Sequence, residues 1–498
     1  MQVLSKLRVK SYRDLHPLKV FDEKIKKYIE YYGGDIEEVY KNYNQTLKFF
    51  LPLVALVTFF GVLKFKLFLF SVPALALIAY FYPLLYVWAK AEEHKKIVNN
   101  ETPFIALIAY IDSLIDKGFN YTLKELSQIK ELKTPKVEQN FIEKMTNYMN
   151  MSFARALERR SLVHSGDLLG KLYDAYLSAL ELGITIRDRL HDVSKDLLNE
   201  LKDNHKLYVD KSSGMAEMVF SVFLLMPIVL IGFSFTFKVT LTELLFPLIF
   251  TPGLYFLASS QQPSFDYDVK LGKYAYILVA IPIILMLPGI SLTYKTIAIV
   301  IIITVLSYFV YSQFTLAREL EKTLPFLLKE LSQYMKIGYT VQNAIQRIKI
   351  PSKRARKAIR EYLKDPENVN SPSKLFNLTF KLLFIIAKTG ATSSALEELG
   401  AAVNEIVYAK DYLVKQLRMF DAFVVLTPFM LWLTFTLLGK ISTHPLPEVT
   451  VISAYSVASA LTFSKISRFA LLYFPTMLAT TIALFMLLFL PAQHIPIF

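Results

Sequence analysis

Long runs of uncharged, apolar residues recur along this chain, each close to the length a helix needs to cross a bilayer. About 20 predominantly apolar helical residues span the roughly 30 Å hydrocarbon layer. Nine such runs are read, at 47–63, 67–88, 218–237, 244–258, 274–293, 296–312, 422–439, 449–464 and 469–490. The run TIAIVIIITVLSYFVYS at 296–312 is rich in β-branched residues. Lipid tolerates these in a helix because backbone groups there must satisfy their hydrogen bonds internally. The expectation is an all-α, polytopic membrane protein with about nine transmembrane helices.

The stretches between the runs set the expected organisation. Residues 1–46 are charged and have no apolar core before Leu47, so no signal peptide is read and this segment is expected to stay inside. A transmembrane hairpin at 47–88 then leads to a first cytoplasmic helical domain at 89–216, four transmembrane helices at 217–312, a second cytoplasmic domain at 313–419, and three transmembrane helices at 420–498. The three stretches assigned to the cytoplasm hold 46 of the 56 lysines and arginines, as the positive-inside rule requires. Charge divides unevenly between the two domains. The first carries 19 basic and 19 acidic groups, the second 18 and 10.

The two domains look like copies. LIDKGFNYTLKEL at 114–126 and YMKIGYTVQNAI at 334–345 each read as two amphipathic helices broken at a glycine, Gly118 and Gly338. Superposing those glycines lays Ile111, Leu114 and Ile115 over Leu331, Tyr334 and Met335, a helical stripe. A Pro-Phe pair precedes each glycine, Pro103-Phe104 and Pro325-Phe326, at spacings that differ by two residues. A second pair, Gly183 and Gly390, superposes Tyr173 and Tyr176 on Phe380 and Leu383. Glycine is suited to a left-handed position where one helix stops and the next begins, so all four are expected to turn helix hairpins. Both domains then lead into an apolar helix with an acid at its mouth and a proline inside, Glu217 with Pro227 and Asp421 with Pro428.

Signatures of catalysis are absent from the sequence. The chain has no cysteine, which removes thiolate chemistry and disulfides. The nearest approach to a phosphate-binding loop, SGDLLGKLY at 165–173, has only three residues between its glycines and a leucine after Lys171, and is read as a helix N-terminus. No two of the 7 histidines lie at i, i+4, where they could share a metal on one helix face. His191 and His205 are read as solvated helix residues. Apart from Lys48 at the edge of the first, the nine spans hold no ionisable group of the kind that marks ion-coupled transport. A transporter for a neutral solute is the alternative this leaves open.

Tandem helix-Gly-helix domains that each feed a membrane helix, with AEMVFSVFLLMPIVL at 216–230, resemble the type II secretion system F-domain family. More narrowly they are similar to the platform membrane proteins of the archaellum and of archaeal type IV pili. The resemblance covers most of residues 89–490. It implies a non-enzymatic platform in the cell membrane, N-terminus inside, that couples a cytoplasmic hexameric secretion ATPase to the assembly of pilin or archaellin subunits. It implies no cofactor, metal or nucleic acid, and leaves open a homodimer. In that setting the run RIKIPSKRARKAIREYLK at 347–364 draws attention, because Arg347, Lys349, Lys353, Arg354, Arg356, Lys357 and Arg360 all precede its first acid. The run is read either as a docking patch for an acidic surface of the ATPase or as a solvated face attracted to anionic lipid.

Overall fold

The computed structural model describes residues 22–39, 41, 42, 45, 48, 71–233, 239–262, 267, 269–388, 393–439 and 448–489. Apart from Lys48, the expected span at 47–63 lies outside these residues, and so does Gly390. Every regular element among them is helical, and a lone bridge joins Tyr267 to Ser373. The chain divides into two compact units between Leu197 and Leu198.

In the first unit, α1 (Asp22–Tyr32) packs on α2 (Ser71–Ser113) through Ile25 and Val87. The 43 residues of α2 change character along their length. Apolar residues run to Trp88, charged ones follow, and then comes a fully buried stripe that includes Val98, Thr102, Ile105 and Ala106. Around that stripe pack α3 (Phe119–Leu126), α4 (Thr134–Met149), α5 (Phe153–Val163) and α6 (Leu168–Leu182). The amphipathic spacing of these short helices turns Leu123, Leu157, Leu169 and Tyr173 into a common core. A helix start leaves unpaired N–H groups, and the buried Glu101 of α2 accepts two of them, from Lys133 and Thr134. Helix α7 (Ile186–Phe220) follows.

In the second unit, a π turn (Ser221–Leu225) leads into α8 (Met226–Phe233). Then come α9 (Leu241–Leu245), α10 (Thr251–Gln261), α11 (Ala280–Met286) and the 45-residue α12 (Leu292–Lys336). A small helical bundle of α13 (Val341–Arg347), α14 (Lys353–Tyr362), α15 (Lys374–Lys388) and α16 (Ser393–Gln416) packs on the far half of α12. The chain closes with α17 (Phe420–Gly439), α18 (Glu448–Arg468) and α19 (Phe474–Phe489).

Among the described residues five helical segments are long and apolar enough to cross a membrane: Ile186–Phe233, Leu241–Gln261, Leu292–Lys336, Ser393–Leu437 and Glu448–Arg468. The apolar segments Tyr274–Met286 and Phe474–Leu487 are shorter. The first of these stops because Leu287 is extended ahead of Pro288 and Gly289 takes a φ of 80°. The expected span at 274–293 is thus cut short by its own proline and glycine.

Helix α18 is the least apolar of the five, yet it is the most enclosed, with 78% of its apolar window buried by the rest of the protein. Its serines 456, 459, 464 and 467 are fully buried. Small side chains let neighbouring helices approach closely where lipid gives no hydrophobic drive to associate. Thr427 of α17 meets Ser459 at 3.1 Å, and Thr476 of α19 meets Ser464 at 2.5 Å. The helix runs to Arg468, one turn past the expected end at 464, because its last carbonyls find donors. The Tyr208 hydroxyl donates to the Ile466 carbonyl and the Gln262 side chain to that of Lys465. Phe469, at φ 59°, then reverses the chain.

Candidate functional site

The four glycines behave differently. Gly183 ends α6 at φ 63° and Gly338 follows α12 at φ 89°. In each case the next amide reaches back to an earlier carbonyl, Ile184 to Ala179 and Tyr339 to Tyr334, which is the Schellman closure. Gly118 is a correction. Its φ is −77° and it is the N-cap of α3, while the left-handed residue is Asp116, at φ 57°, with Lys117 N–H returning to the Asp112 carbonyl. Aspartate tolerates this conformation better than most side chains. A turn of the same kind as that at Gly338 therefore sits at Asp116, two residues before the expected glycine. With that shift, Pro103-Phe104 falls over Pro325-Phe326 and Gly118 over Thr340, the N-cap of α13.

The two entry acids also part company. Glu217 is exposed, whereas Asp421 accepts hydrogen bonds from Arg468 and from Ser467, at 3.4 Å for the serine. Pro227 is buried just after the π turn, where Met226 N–H reaches Ser221 O. A proline lacks the amide proton its own turn needs, and a widened turn ahead of it relieves the clash. Pro428 lies inside α17, which continues through it.

Two buried polar clusters were not anticipated. In the first unit, Arg160 and Glu138 are both withdrawn from solvent and pair at 2.6 Å. His164, the C-cap of α5, contacts Glu138 at 3.0 Å and Asp167 at 2.7 Å. Tyr173 donates to Glu138, Tyr31 of α1 donates to Asp167, and Arg160 donates to the Glu30 carbonyl. Burial alone would raise the Glu138 pKa, but Arg160 and His164 hold it well below the usual carboxylate range. Burial opposes a charge on His164, yet its two carboxylate partners prevail and raise its pKa. Its Nδ1 faces the Asp167 carboxylate, and its Nε2 lies 3.0 Å from both Glu138 and the Arg160 guanidinium. His94, against the edge of Tyr31, is pushed down to about 4 by burial. The cluster ties α1, α4, α5 and α6 together, with each charge answered by another.

The second cluster centres on Glu321 of α12. Its carboxylate accepts from Lys410 at 3.0 Å, Ser373 at 2.7 Å and Tyr267 at 3.2 Å, and the Lys410 ammonium lies over the Tyr267 ring. Arg160, His164 and Asp167 lie close in sequence, but their partners Glu138 and Tyr31, like Glu321 and Lys410 in the second cluster, lie far apart in the chain, so neither cluster is read from a local pattern. His205 corrects another expectation: it is buried and bonded to the Leu201 carbonyl of its own helix, while His191 is partly exposed. Among the described residues no group of three His, Asp or Glu side chains could hold a metal ion.

The SGDLLGKLY stretch is a helix start. Asp167 caps α6 through the amides of Leu169 and Gly170, and a Cβ on Gly170 would lie 2.2 Å from the His164 carbonyl oxygen. Close backbone packing explains that glycine.

The basic run forms a short loop and α14. Ser352 caps the helix by accepting from Ala355 N–H, Ala355 and Ile359 are buried toward α12, and Lys353, Arg354, Lys357 and Arg360 are exposed. Arg347 stacks on Tyr339 and bonds its hydroxyl, and Arg356 donates to the Ile350 carbonyl. Lys349 is exposed. The structure thus separates the seven basic residues into two held by local contacts and five that present free charge to solvent.

Compared with protein-family models, curated proteins and solved structures, the chain matches none of them.

Proposed function

We propose that this chain is a non-enzymatic platform of the cell membrane that couples a cytoplasmic secretion ATPase to the assembly of pilin or archaellin filaments. One observation carries the reading: a single helical order recurs in the two halves of the chain. A long helix ends in a Schellman turn, short helices follow, then a helix of 15 residues, then a long helix that leads into apolar sequence. The order α2 to α7 parallels α12 to α16, with three intervening helices in the first half and two in the second. In both halves a polar side chain of the long helix holds the start of the 15-residue helix. Asn99 accepts from Leu168 N–H at 3.0 Å, and Glu321 accepts from the N-cap Ser373 at 2.7 Å. These parallels support a duplicated helical-bundle domain, and the reading places residues 89–216 and 313–419 in the cytoplasm, with further spans to make about nine.

The second half also supports a mechanical role. Helix α16 passes through one 3-10 turn (Leu417–Met419) into α17, so movement imposed on the bundle is carried by helix into the membrane segment. Glu321–Lys410 and Lys336–Glu397 join α12 to α16 at two levels, which makes the pair move as one body.

The test is genetic and biochemical. Deleting the gene from its host should abolish surface filaments while the unassembled subunits remain in the membrane. The purified protein in nanodiscs should bind the secretion ATPase. Filaments that persist after deletion would sink the reading.

A further inference from the structure

The basic helix α14 is held at the level of the lipid headgroups. Between Lys295 and Arg318, α12 has 22 residues without a charge, about 33 Å of helix at 1.5 Å per residue. That matches a hydrocarbon core of roughly 30 Å, so Arg318 marks where α12 leaves it. An aromatic layer agrees. Tyr267 and Tyr473 both pack on Phe314, about one turn from Arg318 on its apolar side. Tyrosine is enriched at such interfaces.

Two hydrogen bonds fix α14 to this level. Ser352, its N-cap, donates to Glu319 at 2.5 Å, one residue past Arg318. After the helix the chain returns, and Ser373 donates to Glu321 at 2.7 Å. The headgroup layer is about 5–7 Å thick on each side. Glu319 and Glu321 therefore lie within or just outside it. The apolar side of α14 is spent on Ala355 and Ile359, leaving Lys353, Arg354, Lys357 and Arg360 exposed. Among the described residues none of these four has an acidic partner.

We propose that α14 is a membrane-surface helix whose Lys353, Arg354, Lys357 and Arg360 engage anionic lipid headgroups and so set the height of the second bundle above the bilayer. Lipid is favoured over a soluble acidic partner because the patch is tied to the interface at both ends, where an anionic surface is always present. Attraction of this kind fades within a Debye length, about 10 Å at 0.1 M salt. Lys336, at the far end of α12 and about 27 Å beyond Arg318, is then an internal control.

The full-length protein is placed in nanodiscs of phosphatidylcholine alone or with phosphatidylglycerol and acetylated with an uncharged reagent. Reaction rates are read at each lysine by mass spectrometry. Anionic lipid should slow Lys353 and Lys357 at least about threefold at low salt and leave Lys336 unchanged. The protection should disappear in 0.5 M salt and shrink in the Arg354→Gln, Arg360→Gln variant, which keeps both reporting lysines. Free glycerol phosphate added to phosphatidylcholine discs should not reproduce it. Equal rates in the two lipids would overturn the proposal and return the patch to a soluble partner such as the ATPase. Equal slowing of Lys336 would overturn it too.

Discussion

Asp116 and Gly338 occupy the same backbone position at two helix ends, with φ of 57° and 89°, and each is followed by an amide that closes a Schellman turn. A Cβ at Gly338 or Gly118 would touch nothing within 4 Å, so substitutions there report the backbone alone. Gly338→Val should destabilise the fold by about 1–2 kcal/mol, while Gly118→Ala at φ −77° should stay within about 0.5 kcal/mol of the parent. Denaturant unfolding checks this, and equal costs for the two variants would reject the placement of the turn at Asp116.

The Arg160–Glu138 pair is shielded from water on both sides. Removing one partner leaves an uncompensated buried charge, so Arg160→Met should cost about 3–5 kcal/mol. The double variant Arg160→Met, Glu138→Leu should recover part of that loss. A double variant worse than the single would show that the cluster is not held by this pair.

The two histidines His164 and His94 should pull the stability of the first unit down on opposite sides of pH 6.5. His164 has a raised folded pKa, so its contribution is complete below about 6.5 and is lost as pH rises through the higher folded value. His94 acts in the opposite sense. Its folded pKa is about 4, so the unfolded chain gains a proton first as pH falls from 6.5 and stability declines toward pH 4. Thermal unfolding across pH should show His164→Gln flattening the alkaline side and His94→Phe flattening the acid side. Unchanged slopes in both variants would remove these histidines from the pH response.

Ser459 of α18 is fully buried and bonded to Thr427. Ser459→Leu should force α17 and α18 apart and destabilise the membrane core by about 1–3 kcal/mol. Ile301→Leu, on an exposed part of α12, should have little effect. Equal melting of the two variants in detergent would argue against close packing on the serine face.

The proposed topology needs a reporter on an accessible residue. Ser373 is buried against Glu321, so a cysteine there would report burial and not the side of the membrane. Gln346 is exposed. Because the chain has no cysteine, Gln346→Cys should react with an impermeant maleimide only after the cells are opened. Labelling in sealed cells would reverse the orientation.

The sequence by itself determined that this chain is helical and enters a membrane, because a run of 22 uncharged residues such as 296–317 has no stable place in water. It also located three of the helix ends to within two residues, since proline, glycine and cap residues act on their immediate neighbours. The tertiary structure alone decided which polar groups would be buried together. Glu138 meets Arg160, Glu321 meets Lys410 and Asp421 meets Arg468 across 22, 89 and 47 positions of sequence, separations that no local pattern reports. Likewise α18, the least apolar crossing helix, became the enclosed one only because its serines admit close neighbours. Burial depends on what packs against a residue, and periodicity along a single helix reports only which face is turned inward.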